Sequence, residues 1–380
     1  MYGYSTSMFL INSFVYSSAP PVSTDFKITV DTTQAGSASD TFVLPLHSGS
    51  TSMTVSWGDG NSDVITSYNQ AELTHVYASS GTYQISCDGS FAGIKFAGGG
   101  DRLKLSSIDN WGTNTWSNTI QSFYACSNMV GTYTDNLDAS LAANFIQMFL
   151  NCTSFNSDLT IDTSLATGMQ SMFQGCTSFN GNVTFSDSSN VNTMTSMFNG
   201  CTNFNKPVTF STASNTRFAT MFLNCINFDQ AVNFDTSSAL FISQMFQGCS
   251  SFNQTINFNL TSVTSSIIQM FYGCSSLNSA VNLTNSSGVT SLQGVLQNCT
   301  IFDQNISAWN ITGVTVATNM LNGSAFSTTN YDLLLPAWDA YGTSSVNFHA
   351  GTAQYSSGAP STARANMISR SWTITDGGAV

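Results

Sequence analysis

The chain has 380 residues and a net charge of −12, and 42% of its residues are hydrophobic while only 7% are charged. This apolar content suffices for a packed core, whereas the charged fraction is far below the roughly 25% of ordinary soluble domains. Between Lys104 and Arg364 the only basic residues are Lys206 and Arg217. The composition therefore argues against binding to nucleic acid or anionic lipid by charge, and no apolar run approaches the roughly 18 residues of a membrane-spanning helix.

Residues 1–25 contain a short apolar run from Met8 to Tyr16 that no lysine or arginine precedes. Such a start is a poor secretory signal, because signal peptides carry positive charge before their apolar region. We expect residues 1–25 to form an exposed arm or an added strand that docks on another protein.

Residues 26–97 alternate between apolar and polar positions in short segments. Strands are predicted over 26–30, 41–46 and 53–57, within 74–89 and over 93–98, with turn residues between them. About seven short strands with Gly- and Ser-rich turns indicate a β-sandwich of the immunoglobulin type.

Two motifs make this prediction more specific: Trp57-Gly58-Asp59-Gly60, and later His75-Val76-Tyr77 followed by Gly81-Thr82-Tyr83. Together they resemble the polycystic-kidney-disease (PKD) type of sandwich domain over about 70 residues. The resemblance implies that Trp57 fills the core between two sheets and that the Asp59-Gly60 pair makes a tight turn. Asp59 is interpreted as a turn carboxylate, with a calcium ligand as the alternative.

Residues 98–120 are predicted to be a transition that caps the first exposed unit of the following region. Gly98-Gly99-Gly100 marks a break, and Leu103, Leu105 and Ile108 then alternate toward Trp111.

Residues 121–326 contain a repeat in which a cysteine recurs every 24 to 26 residues, a period typical of solenoids whose units stack on one another. The cysteines are Cys126, Cys152, Cys176, Cys201, Cys225, Cys249, Cys274 and Cys299. Three residues before most of them stand Phe149, Phe173, Phe198, Phe222, Phe246 and Phe271. We expect these residues to form buried columns along the stack.

Each unit is predicted to contain a strand and about two helical turns. The apolar positions seven and nine residues after the cysteine alternate, as in 183–185, and this is typical of a strand with one buried face. Before the cysteine, Met194, Met197, Phe198 and Cys201 have helical spacing. Four residues after each cysteine from Cys152 to Cys299 stands an asparagine or aspartate, whose side chain is expected to bond the backbone of the adjacent unit.

The recurring MF-x-x-C-x-x-F-N motif resembles the leucine-rich repeats of BspA-like bacterial surface proteins, in the variant of about 25 residues first noted in mycoplasma lipoproteins. The resemblance covers more than half of the chain and implies a leucine-rich-repeat-type solenoid with a partner-binding surface. The tryptophan–aspartate pair that often follows the strand in that group is missing, and only Ala308-Trp309 comes near it.

Residues 327–380 are predicted to be a C-terminal α/β cap on the last unit. It contains helix candidates over 331–341 and from Pro360, and strand candidates in 346–351 and 371–378. The expected fold is thus mainly β with short helices: an immunoglobulin-like sandwich, a solenoid and a cap.

No catalytic, cofactor-binding or metal site is predicted. The repeats hold no histidine and no close cysteine pair, so zinc and a cysteine nucleophile lack the residues they need. Nine cysteines cannot all pair within one chain, and their repeat positions indicate reduced, buried thiols. The acidic residues are scattered, whereas glycoside hydrolysis needs two carboxyl groups across a cleft.

A sandwich joined to a capped repeat array, with no convincing secretion signal, leads to the expectation of a non-enzymatic virion structural protein. It would be a capsid decoration, head fibre or tail adhesin on the virion surface, docking on other virion proteins through residues 1–97. The solenoid would then bind a host surface receptor or glycan or stabilise the particle, as a homo-oligomer in the assembly. The alternative is a secreted bacterial cell-surface adhesin of the BspA-like class.

Overall fold

The computed structural model describes residues 23–380, so most of the predicted arm at 1–25 lies outside the described residues. The described chain is mainly β, with two α-helices and a β-solenoid of about 11 turns. Each turn of the solenoid is called a rung below. One continuous hydrophobic core runs from Phe26 to Trp372.

The N-terminal region contains two sheets. The larger has the strand order β4-β3-β6-β1-β7-β8, and a smaller one pairs β2 with β5. Their bounds are β1 (Phe26–Asp31), β2 (Thr41–Val43), β3 (Ser52–Ser56), β4 (Ser62–Ile65), β5 (Thr74–Val76), β6 (Thr82–Ser90), β7 (Leu105–Asn110) and β8 (Val130–Gly131), with a short 3-10 helix at Ala71–Leu73.

Two strand predictions differ from the structure. The segment 93–98 forms no strand, and only Ile94 bridges to Leu46, because this segment hydrogen-bonds irregularly to both the 45–47 and the 121–124 backbone. Conversely, β4 was missed because Val64, its central apolar residue, faces solvent at the edge of the sheet.

The N-terminal region and the solenoid share a sheet through β7. This strand pairs antiparallel with β1 on one side and parallel with β8 on the other. The predicted transition segment thus supplies a strand that belongs to both regions, and Leu105, Ile108 and Trp111 are buried beneath it.

The solenoid strands are short and parallel, as stacked rungs require. They are β9 (Leu159–Ile161), β10 (Val183–Phe185), β11 (Ile256–Asn259), β12 (Val281–Thr284) and β13 (Val316–Ala317), with a 3-10 helix at Ser286–Gly288. β9 pairs with β10, and β11 with β12. The two intervening rungs have no strand at 208–210 or 232–234. In the first of them Pro207 precedes Val208 and has no N–H to donate.

The segment before each cysteine is not helical, so that prediction is wrong. In the rung of Cys201, the N–H groups of Ser196, Phe198 and Gly200 donate to carbonyls of the next rung, at 3.1, 2.9 and 2.7 Å. A helix would direct these groups to its own backbone four residues earlier. The inward side chains at positions 194, 197, 198 and 201 imitate helical spacing, although the backbone forms successive turns instead.

Left-handed backbone at two positions in every rung explains this geometry. Positive φ recurs five residues before the cysteine and one residue before it, for example at Ser196 (φ 56°) and Gly200 (φ 76°). The second position is held by Ala125, Asn151, Gly175, Gly200, Asn224, Gly248, Gly273 and Asn298. Glycine and asparagine adopt this conformation most readily.

The C-terminal cap contains α1 (Thr328–Asp339), β14 (Asn347–His349), α2 (Ala359–Ser369) and β15 (Thr373–Thr375). β13, β14 and β15 form a parallel sheet that continues the solenoid stack. Tyr331, Trp338 and Met367 are buried against that sheet, so the helices cover the end of the core.

Candidate binding surface of the solenoid

Two columns of phenylalanine rings fill the interior of the solenoid. Rings of the residues three positions before the cysteines stack at centroid distances of 5.5–5.6 Å from Phe149 to Phe271. A second column, from Phe155 to Phe252, stacks at 5.7–6.0 Å. Within a rung the two columns touch, for example at 4.3 Å between Phe198 and Phe204. All of these rings are buried, so none is available to stack on a ligand.

The cysteines form a third buried column. All nine cysteines are free thiols, and the eight in the repeats are fully buried. From Cys152 to Cys299, each Sγ donates to the carbonyl oxygen of the phenylalanine that precedes the previous cysteine, at 2.9–3.1 Å. Burial raises the pKa of the Cys299 thiol to about 12 and that of Cys201 well above its usual range. A reactive cysteine needs the opposite shift.

An asparagine column ties successive rungs together, as the sequence predicted. It comprises Asn156, Asn180, Asn205, Asp229, Asn253, Asn278 and Asp303. The side-chain oxygen of each accepts from the backbone N–H of the next, at 2.6–3.0 Å. Asp303 ends the column by accepting from Ser327 N at 2.8 Å, where Ser327 caps the N-terminus of α1.

The scattered acidic side chains close turns. Asp162, Asp187 and Asp235 each accept from the backbone N–H two residues later. Hydrogen bonds from the following serines lower the pKa of these three carboxyl groups. They are therefore ionised at neutral pH, whereas the general acid of a glycosidase needs a raised pKa.

The PKD-like motif residues lie together at one end of the N-terminal sheets. Trp57 is buried, donates from Nε1 to Asp63 at 2.8 Å, and stacks on His75 at 4.8 Å. Tyr77 donates to the Trp57 carbonyl at 3.1 Å and stacks on Tyr83 at 3.7 Å.

Asp59, in the turn between β3 and β4, accepts from Asn61 N at 2.9 Å and lies 2.9 Å from Nε2 of His75. Desolvation opposes ionisation of this carboxyl, but the hydrogen bonds from His75 and Asn61 outweigh it and lower its pKa to about 2. Gly58 has φ 86°, and a Cβ there would lie 2.4 Å from Gln84 O. The arrangement is that of a turn carboxylate, and residues 23–380 hold no group of three His, Cys, Asp or Glu side chains placed for a metal.

The outward positions of the solenoid carry uncharged polar side chains. Eight residues after the cysteine, at the centre of the strand position, stand the exposed residues Thr160, Thr184, Thr209, Asn233, Asn257 and Asn282. One residue after the cysteine a second column is mostly hydroxyl-bearing, and Thr202 and Ser275 there donate to the previous rung. This surface can offer many hydrogen bonds and little charge.

A family model described as "Mycoplasma protein of unknown function, DUF285" matches the chain three times, over residues 92–210, 167–266 and 256–349. These matches together cover more than half of the chain. The chain belongs to this family. The DUF285 matches span the whole cysteine column and end within the cap, while residues 23–91 lie outside them.

No curated protein and no solved structure matches the chain. Neither α-helix of residues 23–380 has the length and apolar character needed to cross a membrane. The DUF285 matches thus contain all of the cysteine-bearing rungs, and the outward side chains of these rungs form the candidate binding surface.

Proposed function

We propose that the chain is a non-enzymatic surface protein of the BspA-like class, which displays its solenoid to bind a partner at a cell surface. The proposal rests on which side chains are buried and which are exposed within each rung. The cysteines, the methionines and the two stacked phenylalanine columns of the repeats are buried in the core, and several aspartates close turns, while the exposed columns carry mainly threonine, serine and asparagine. A long, repetitive and mostly polar surface suits binding rather than catalysis, because catalysis needs convergent ionisable groups.

Membership in a mycoplasma repeat family and the resemblance to BspA-like repeats favour a cellular surface over a virion. The virion hypothesis rested on residues 1–25, on the PKD-like domain and on the poor match of the first residues to a secretory signal, and no finding supports it. We therefore propose a role at a cell surface and not on a virion.

The N-terminal sheets are proposed to be a PKD-like module that joins the solenoid to an anchor in residues 1–22. Supporting this assignment are two sheets in which β1 to β7 pair antiparallel, a buried Trp57 after β3, and the Tyr77 hydroxyl bound to the Trp57 carbonyl. Deleting residues 1–22 tests anchoring without removing any described strand. Release of a folded protein into the medium would support anchoring through these residues, and unchanged retention would contradict it.

Surface location is tested with an antibody against the cap, residues 327–380, applied to intact cells of the native source. Labelling of intact cells is expected, with an internal enzyme of the same cells as the control for leakage. Labelling only after lysis would overturn the proposal. Labelling of purified virus particles instead of cells would favour the virion hypothesis.

A further inference from the structure

The outer edge of β12 borders a cavity of about 410 Å³. It is lined by Val281, Asn282, Leu283, Thr284, Asn285, Asn305, Ala308, Trp309 and Asn310. The cavity exists because the following rung does not continue the sheet: residues 303–310 form no strand and loop away from β12. Its volume falls in the range of small-molecule sites.

One residue of β12, Leu283, directs its backbone N–H and C=O toward this cavity without a hydrogen-bond partner in the described part of the chain. Ile256 N donates to Ala280 O and Leu260 N to Thr284 O, so residues 280, 282 and 284 face β11. By the alternation of a parallel ladder, Val281 and Leu283 face the other way. Among residues 23–380, the one hydrogen bond on that side joins Trp309 Nε1 to Val281 O at 2.9 Å. The N–H and C=O of Leu283 therefore remain available.

Four of the side chains around this opening are asparagine amides, and none of the lining side chains is charged. Asn282 and Asn285 donate from Nδ2 to Asn257 and Asn259, at 2.7 and 3.0 Å, which leaves their oxygens as acceptors. Asn305 and Asn310 accept backbone N–H groups through Oδ1, at 2.9 and 3.0 Å, which leaves their Nδ2 groups as donors. Donors and acceptors thus surround a floor of Val281, Leu283 and the fixed indole of Trp309, all buried.

We propose that this cavity binds one uncharged, N-acetylated sugar residue of a glycan, with its acetamido group paired to the backbone of Leu283. The acetamido N–H can donate to the carbonyl of Leu283, and the neighbouring sugar hydroxyl can accept from the Leu283 N–H, while the acetamido methyl contacts the apolar floor of the cavity. The sugar hydroxyls both donate and accept, which matches the four asparagines. The inference rests on the proposed surface-binding function and names its ligand class.

Addition of a peptide strand fits this site less well. Strand addition draws its affinity from a row of main-chain hydrogen bonds. Here the indole of Trp309 occupies the Val281 end of the edge, so only the Leu283 pair is open. Ligands with a charge are also disfavoured, because no lining side chain could pair with it.

The test uses the full chain with two trisaccharides that share a β-1,4-linked glucose backbone. Tri-N-acetylchitotriose carries the acetamido groups, and cellotriose lacks them. The protein is produced in a bacterial host without N-glycosylation, because the lining asparagines begin the triplets Asn282-Leu283-Thr284, Asn285-Ser286-Ser287, Asn305-Ile306-Ser307 and Asn310-Ile311-Thr312. Ligand-observed NMR is expected to give a Kd on the order of 1 mM for chitotriose and at least about tenfold weaker binding of cellotriose.

Two variants locate the site, and a third serves as the control. Asn282→Ala removes one lining amide, and Ala308→Phe fills the cavity from an exposed position; each is expected to weaken chitotriose binding at least about tenfold. Asn233→Ala removes an exposed asparagine from the same column two rungs away and is expected to leave Kd unchanged. Circular dichroism checks that each variant is folded.

Equal binding of the two sugars, no binding of either, or an equal loss in the Asn233→Ala control would overturn the inference. The proposed function fails on a different observation, namely absence of the chain from the surface of intact cells. A protein found at the surface that ignores chitotriose would refute the sugar site alone.

Discussion

The cysteine column makes a quantitative prediction about alkaline stability. Burial raises the pKa of eight of the nine thiols: Cys87, Cys126, Cys152, Cys201, Cys225, Cys249, Cys274 and Cys299. These thiols stay protonated in the folded chain at pH 9, whereas an unfolded thiol titrates near pH 8.5. The unfolded state then binds fewer protons, so the free energy of unfolding falls as pH rises.

The expected loss follows from the number of thiols. Each buried thiol lowers the free energy of unfolding by about 0.8 kcal/mol at pH 9 and by about 1.4 kcal/mol at pH 9.5, if its pKa in the unfolded chain is about 8.5. Eight thiols together therefore remove about 7 kcal/mol between pH 7 and pH 9, and about 11 kcal/mol by pH 9.5. Since typical stabilities are about 5–15 kcal/mol, we expect the solenoid to unfold between about pH 9 and pH 10.

Urea unfolding at pH 7, 8 and 9 under reducing conditions measures this loss. Thiolate absorbance near 240 nm should rise together with the loss of circular dichroism and not before it. A variant with Cys152→Ala, Cys201→Ala, Cys225→Ala and Cys274→Ala should lose about half as much stability over the same range, because half of the titrating thiols remain. Thiolates that form near pH 8.5 in a folded chain, or a loss below about 1 kcal/mol, would refute the reasoning.

Three further predictions concern single rungs. Phe198→Ala should lower the free energy of unfolding by about 3–5 kcal/mol, because it removes a buried ring stacked on both neighbouring rungs. Phe241→Ala should cost only about 1 kcal/mol, because this ring is 43% exposed and contacts the Arg217 guanidinium; urea unfolding compares the two, and equal effects would contradict the buried column. Asn205→Ala should cost about 1–3 kcal/mol by leaving Asp229 N without its acceptor, while Asn205→Asp keeps the oxygen; thermal unfolding at pH 7 separates the two, and a neutral alanine would count against the asparagine column. Gly200→Asn should be nearly neutral, because asparagine holds the same left-handed position in three other rungs, whereas Gly200→Val should cost about 1–2 kcal/mol; a tolerated valine in a melting experiment would be inconsistent with the positive φ.

The buried columns were predictable because each rung repeats the same restriction on volume and polarity. Cysteine, phenylalanine and asparagine at fixed offsets could be read from the sequence, and the asparagine side chains make the predicted bonds between rungs. The local backbone was not predicted. Inward positions such as Met194, Met197 and Phe198 fit helical periodicity, although their backbone forms turns that bond to the next rung.

A clue to that backbone was present in the sequence. In seven of the eight repeats the residue before the cysteine is either glycine or asparagine, as at Gly175, Gly200 and Asn224. These two residue types differ in size and polarity, but both tolerate a positive φ. The cavity beside β12 could not be predicted, because it depends on where residues 303–310 leave the sheet. Only the isolated Trp309 hinted that this rung differs from the others.

The asparagine column has a consequence for how such a chain can change length. Every internal member accepts from the rung after it and donates to the rung before it, so each rung presents the same two connections. Asp303 differs only in its partners, because it accepts from Ser327 N and Asn330 Nδ2 of the cap instead of from a further rung. Recombination between repeats could therefore add or remove whole rungs upstream of Asp303 without altering the N-terminal sheets or the C-terminal cap. Related chains are thus expected to differ in solenoid length by whole repeats.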